Sequence, residues 1–222
     1  MTMFSKDAFA FLRELTASNN REWFNANKSR YTKELEAPFA ALLEALSNRL
    51  QDARRPLSGG KSTMFRPNRD IRFSKDKAPY KTNVSGLLTP SGTKSEVAAL
   101  LYVHLEPGGG FASAGFYNLS PKQLMPVRDA MIERADTFDE VLSALDQANR
   151  KLASGHELTS MPRGYAEHAA HRHADHIKRK SLLVTQELSE TDWTSGDVID
   201  HIEKLARDAM PLLTFQDPAR AG

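Results

Sequence analysis

The densest group of side chains able to do chemistry runs from Arg66 to Lys81, where six basic residues stand against only Asp70 and Asp76. Guanidinium groups offer a planar fork of donors that matches phosphate or carboxylate oxygens, and ammonium groups add mobile point charge. The pattern predicts an anion pocket built from Arg69, Arg72, Lys75, Lys77 and Lys81, with Tyr80 as a hydroxyl donor or stacking surface. The competing reading is a structural network in which Asp70 and Asp76 pair with those cations on a solvated face. Carboxylates so placed should be held below their usual pKa. That makes them poor general acids, yet able to hold magnesium or to take a proton from a substrate hydroxyl. Asp70, Asp76 and His104 are therefore the weak catalytic candidates, His104 only if its strand face meets the basic segment.

Five of the seven histidines fall between His156 and His176. His168 with His171, and His173 with His176, have the i, i+3 spacing of one helix face. Their spacing matches no zincin pattern such as His-Glu-x-x-His, so the expectation is a surface-exposed cluster, with no metal site and no cofactor assigned. A second basic island, Arg163 to Lys180, has five basic residues against two acidic ones. Since the chain as a whole carries +2, the islands' +4 and +3 leave −5 on the remainder. With no cysteine among the 222 residues, disulfide scaffolds, thiolate metal sites and thiol nucleophiles are excluded.

The elements that must position these groups follow from hydrophobic period. Ser5 reads as the cap of a first helix carrying Phe9, Leu12 and Leu15, and Asn19-Asn20 as its stop and the next cap. Apolar residues from Trp23 to Leu50 recur every three or four positions, with Pro38 expected to kink or split the helix. The period then changes to two. Asp70 to Ser74 alternates, with Ile71 and Phe73 on the side expected to face the core. Val97 to Leu105 alternates more cleanly, with Tyr102, His104 and Glu106 on the opposite side. Pro107 to Gly110 should turn that strand into a partner spanning Phe111 to Leu119. Further helices are expected after Ser120-Pro121, interrupted or restarted at Pro126, and over Phe138 to Leu152. A strand over Ser181 to Leu188 and a last helix capped by Thr194 or Ser195 complete the pattern.

The segment Arg69-Asp-Ile-Arg-Phe-Ser-Lys-Asp-Lys-Ala-Pro-Tyr-Lys-Thr-Asn83 resembles the signature of the family called domain of unknown function 2461. The likeness extends over nearly the whole chain, through Asn19-Asn20-Arg-Glu-Trp-Phe24, Ala114-Gly-Phe-Tyr117 and Pro162-Arg-Gly-Tyr165 to His168. There the resemblance implies a following proline where Ala169 stands. It supplies no activity.

The fold class expected is α+β: a single domain, 1–222, with a mainly antiparallel β-sheet flanked by N-terminal and C-terminal helices. The 40% hydrophobic and 26% charged residues are those of a soluble globular protein, and neither a membrane span nor a signal peptide is read from the chain, so the expected location is cytoplasmic. The leading functional expectation is binding of an anionic, phosphate-bearing small molecule by Arg69 to Lys81, whether or not as an enzyme. A nucleic-acid-binding or protein-interaction module using the same basic surface is the alternative.

Overall fold

Four strands form an antiparallel meander in which every neighbour in sequence is a neighbour in space: β1 (Val84–Leu88), β2 (Leu100–Glu106), β3 (Gly109–Phe116) and β4 (Leu182–Ser189). The computed structural model describes residues 3–95, 99–155 and 157–217. Val97 and His156 fall outside them. The expected hairpin is present, with Glu106 opposite Gly109 and Pro107-Gly108 at the turn. Gly110 is required there. At φ 133° its Cβ would lie 2.0 Å from the His104 carbonyl oxygen.

Before the sheet come α1 (Lys6–Ala17), α2 (Arg21–Ala26), α3 (Lys28–Tyr31) and α4 (Ala37–Arg49). Ser5 Oγ accepts from Asp7 N at 3.2 Å and Asn20 Oδ1 from Trp23 N at 2.9 Å, so both expected caps are formed. The anticipated break at Pro38 takes the form of a π-helical turn, Thr32–Glu36, that leads into α4. Pro38 has no N–H for the Glu34 carbonyl, and the wider turn absorbs the misfit while Leu35 and Phe39 stay buried on either side.

Between β3 and β4 the chain forms α5 (Pro121–Glu133), α6 (Ala135–Gln147) and α7 (Ala174–Ile177). After β4 it closes with α8 (Glu190–Ser195), α9 (Val198–Asp208) and α10 (Met210–Leu213). Four boundaries differ from expectation. β3 ends at Phe116, short of Leu119. Helix α5 continues through Pro126, started by a Ser120–Gln123 capping box. Helix α6 begins three residues before Phe138 and ends at Gln147, short of Leu152. The C-terminal helices are opened by Ser189 in a capping box with Asp192, and Gly196, at φ 101°, separates α8 from α9.

The helices cover one face of the sheet. Leu101, Val103 and Leu105 of β2, Ala112 and Ala114 of β3, and Val184 of β4 are fully buried with Phe39, Leu43, Trp193, Ile202 and Leu205 in one continuous core. At Gly86 of β1 the packing leaves no room for a side chain, because a Cβ would meet Leu43 Cδ1 at 2.6 Å. The arrangement is α+β with an antiparallel sheet and helices at both ends of the chain, as expected. Among the described residues no helix is long and apolar enough to cross a membrane.

Candidate anion site on the open face of the sheet

Strand alternation sends Ser85, Leu87, Leu100, Tyr102, His104, Phe111 and Ser113 to the face away from the helices. With Phe65, Arg69, Asp70, Lys81, Asn83, Tyr117 and Leu183 they enclose a cavity of about 690 Å³, within the range of small-molecule sites. The face bearing His104 therefore meets the basic segment.

Within that segment Asp70 to Ser74 is loop, not the alternating extended stretch expected there. Asp70 Oδ1 accepts from Arg72 N at 3.2 Å and the Ile71 carbonyl from Ser74 N at 3.3 Å, so short-range side-chain and turn bonds replace a ladder. Phe73, expected to face the core, is 94% exposed. The loop is closed at its base by an isolated bridge between Asn68 and Tyr80. Asn19 fixes this base. Its amide donates to the Tyr80 carbonyl at 2.9 Å and accepts from Tyr80 N at 3.1 Å, a role different from the capping expected of it. The Tyr80 ring stacks on Phe24 at 3.9 Å and 13° and is 7% exposed, so it presents no stacking surface to a ligand.

The loop's cations divide into two kinds. Arg72 grips Asp70 through Nε at 3.0 Å and a terminal nitrogen at 2.7 Å, and is largely exposed. Arg69, although it lines the cavity, is bound to Asp76 and to the Ala78 carbonyl, the latter at 3.1 Å. Lys77 Nζ donates to the Ile71 carbonyl at 3.1 Å, and Lys75 is exposed. Both carboxyls sit below the usual range: Asp70 chiefly through the Arg72 guanidinium, and Asp76 through the Ala78 amide and then Arg69.

Lys81 differs. Among the described residues no carboxylate lies within ion-pair distance of it, and its Nζ stands 5.3 Å from the Phe65 ring centroid. Partial burial lowers its pKa first, and the charges of Arg66 and Lys94 add to that. A cation that is partly desolvated and surrounded by like charge gains free energy from an incoming anion.

The floor is aromatic. The His104 ring lies on Phe111 at 4.8 Å and 15°, and Tyr102 packs against Phe65 and Phe111 at 6.4 and 5.8 Å. Burial pushes the His104 imidazole down, with Glu106 opposing, which favours its neutral form. Burial likewise raises the Tyr102 phenol. Phe65, Asn83, Ser85, Phe111, Ser113 and Tyr117 were not anticipated as lining residues. The signals in the sequence were the alternation that puts Tyr102 and His104 on one side and, for Asn83 and Tyr117, their place in the motifs that carry the family resemblance.

The histidine cluster lies elsewhere, and it is not the exposed group expected. His173 is 3% exposed, with Nε2 3.1 Å from the Ala135 carbonyl oxygen and 3.3 Å from Asp139. His176 packs edge-on against Phe138 at 5.3 Å. Among the described residues no three His, Asp or Glu side chains are grouped to hold a metal ion. Three cations of the second basic island are also paired: Lys178 with Asp175 inside it, and Arg172 with Asp136 and Asp139 and Arg179 with Glu157 outside it.

Neither the curated proteins nor the solved structures contain a match to this chain. A family profile described as conserved hypothetical protein (DUF2461) matches residues 7–215, which take in all four strands, the basic loop and every residue lining the cavity. The chain belongs to the DUF2461 family.

Proposed function

We propose that the protein binds a phosphate-bearing organic anion in the cavity on the open face of the sheet. The observation that carries this reading is Lys81, a partly buried ammonium beside Arg66 and Lys94 at the wall of a cavity whose floor is aromatic. Lys81 takes the anion, and Arg69 reaches it by releasing Asp76. Arg72, Lys75 and Lys77 stand further out on the loop and raise the local positive potential that draws the ligand in.

Titration calorimetry with phenyl phosphate and with inorganic phosphate tests the reading. Phenyl phosphate, which fills both the aromatic floor and the cationic wall, is expected to bind more tightly than phosphate alone. Lys81→Ala should weaken it by about tenfold or more, the worth of one charge-assisted hydrogen bond. Arg72→Ala, already neutralised by Asp70, should change it less than about twofold. Absence of binding by either compound, or equal effects of the two substitutions, would overturn the assignment.

A further inference from the structure

Tyr102, His104 and Glu106 occupy positions i, i+2 and i+4 of β2, so all three project from the open face. They are joined in a line. The Tyr102 hydroxyl lies 2.9 Å from His104 Nδ1, and His104 Nε2 lies 3.4 Å from a carboxylate oxygen of Glu106. The direction of the two bonds follows from what each group can do. A carboxylate only accepts, so the neutral imidazole that faces it carries its proton on Nε2. Nδ1 is then a bare acceptor, and the single phenolic proton of Tyr102 is committed to it. The Ser85 hydroxyl, opposite His104 in the β1–β2 register and 4% exposed, hydrogen-bonds the Tyr102 oxygen and takes one of its lone pairs. What Tyr102 keeps for the cavity is therefore one remaining lone pair and no proton. The rings of Phe65 and Phe111 pack against Tyr102 at 6.4 and 5.8 Å and line the same cavity as that acceptor.

We propose that the ligand is an aromatic phosphate bearing a hydroxyl or amino donor on its ring, and that Tyr102, fixed as an acceptor by His104 and Glu106, selects for that donor while Lys81 holds the phosphate. This rests on the anion-site reading above. A ring without the donor leaves the remaining Tyr102 lone pair facing apolar carbon in a partly desolvated cavity, which discriminates against it.

Calorimetry with phenyl phosphate and its 2-, 3- and 4-hydroxy derivatives tests the selection. At least one derivative should bind the native protein about fivefold more tightly than phenyl phosphate, the net worth of one neutral hydrogen bond. In Tyr102→Phe, with its fold checked by circular dichroism, that ratio should fall to about one. Hydroxy derivatives that bind no better than phenyl phosphate, or a preference that survives in Tyr102→Phe, overturn the selection while the anion site stands. Failure of all four compounds to bind overturns the anion site and the selection together. Independently of any ligand, nitrogen NMR of histidine-labelled protein at pH 7.5 should show His104 protonated on Nε2 alone. A proton on Nδ1, or an imidazolium, would reverse the line of bonds and overturn the proposal.

Discussion

Replacing Asn19 by alanine removes the only described partners of both backbone polar groups of Tyr80. The Asn68–Tyr80 bridge is made by Arg69 N to the Pro79 carbonyl at 2.9 Å and Lys81 N to the Pro67 carbonyl at 2.8 Å, so it leaves the Tyr80 N–H and carbonyl pointing outward to Asn19. Each bond contributes about 1 kcal/mol net, and both are only partly buried, so water can enter the gap. The expected cost is about 2 kcal/mol, with up to about 4 kcal/mol if the two groups stay dry. Urea denaturation should show a lower midpoint with an unchanged slope. Hydrogen exchange should show the Tyr80 amide losing protection, while amides in the β2–β3 ladder follow the global change only. Because Lys81 is the next residue, binding of phenyl phosphate should weaken in parallel. A loss below about 0.5 kcal/mol, or a loss with no faster exchange at Tyr80, would refute the role given to Asn19.

Three further outcomes are expected. Burial holds the His176 imidazole down at about 4, with Arg179 and His173 adding to it and Asp175 and Asp139 opposing. The unfolded chain therefore takes up that proton first, so stability is full above pH ~6.5 and falls by about 2–3 kcal/mol toward pH ~4. His176→Leu should remove this part of the slope in denaturation curves measured across that window. Gly110→Ala should cost about 3 kcal/mol or more, read as a fall in Tm, since its Cβ would overlap the His104 carbonyl at φ 133°. Phe73→Ser should leave stability within about 0.5 kcal/mol in the same assay, because the ring is 94% exposed, with the Arg72 guanidinium 5.8 Å from its centroid.

What was legible in the sequence was whatever is encoded locally. The β2–β3 hairpin followed from clean alternation and a glycine-rich turn, and the caps at Ser5 and Asn20 from side chains that act within three residues. β1 was missed because all five of its residues, Val84 to Leu88, are buried, which erases the alternation that marks a half-covered strand. In its place Asp70 to Ser74 imitated that alternation, while Asp70 was in fact bonding the Arg72 backbone. The basic segment was found, but not how its charge is distributed. Arg69 and Arg72 carry carboxylate partners seven and two residues away, and only the folded loop shows that Lys81 has none among the described residues. Likewise the aromatic floor is assembled from β2, β3 and the loop carrying Phe65, and could not be read from any one of them.

Every cavity-lining residue except Leu183 lies between Phe65 and Tyr117. Among the described residues from Asn118 to Leu182, which include α5, α6, α7 and His168 to His176, none lines it. If the cavity is the binding site proposed above, ligand preference is written in one block of sequence, separate from the long excursion that follows it. Recombination at two points, just before Phe65 and just after Tyr117, would transplant nearly the entire lining of the cavity at once. Insertions or deletions between β3 and β4 could accumulate without disturbing it.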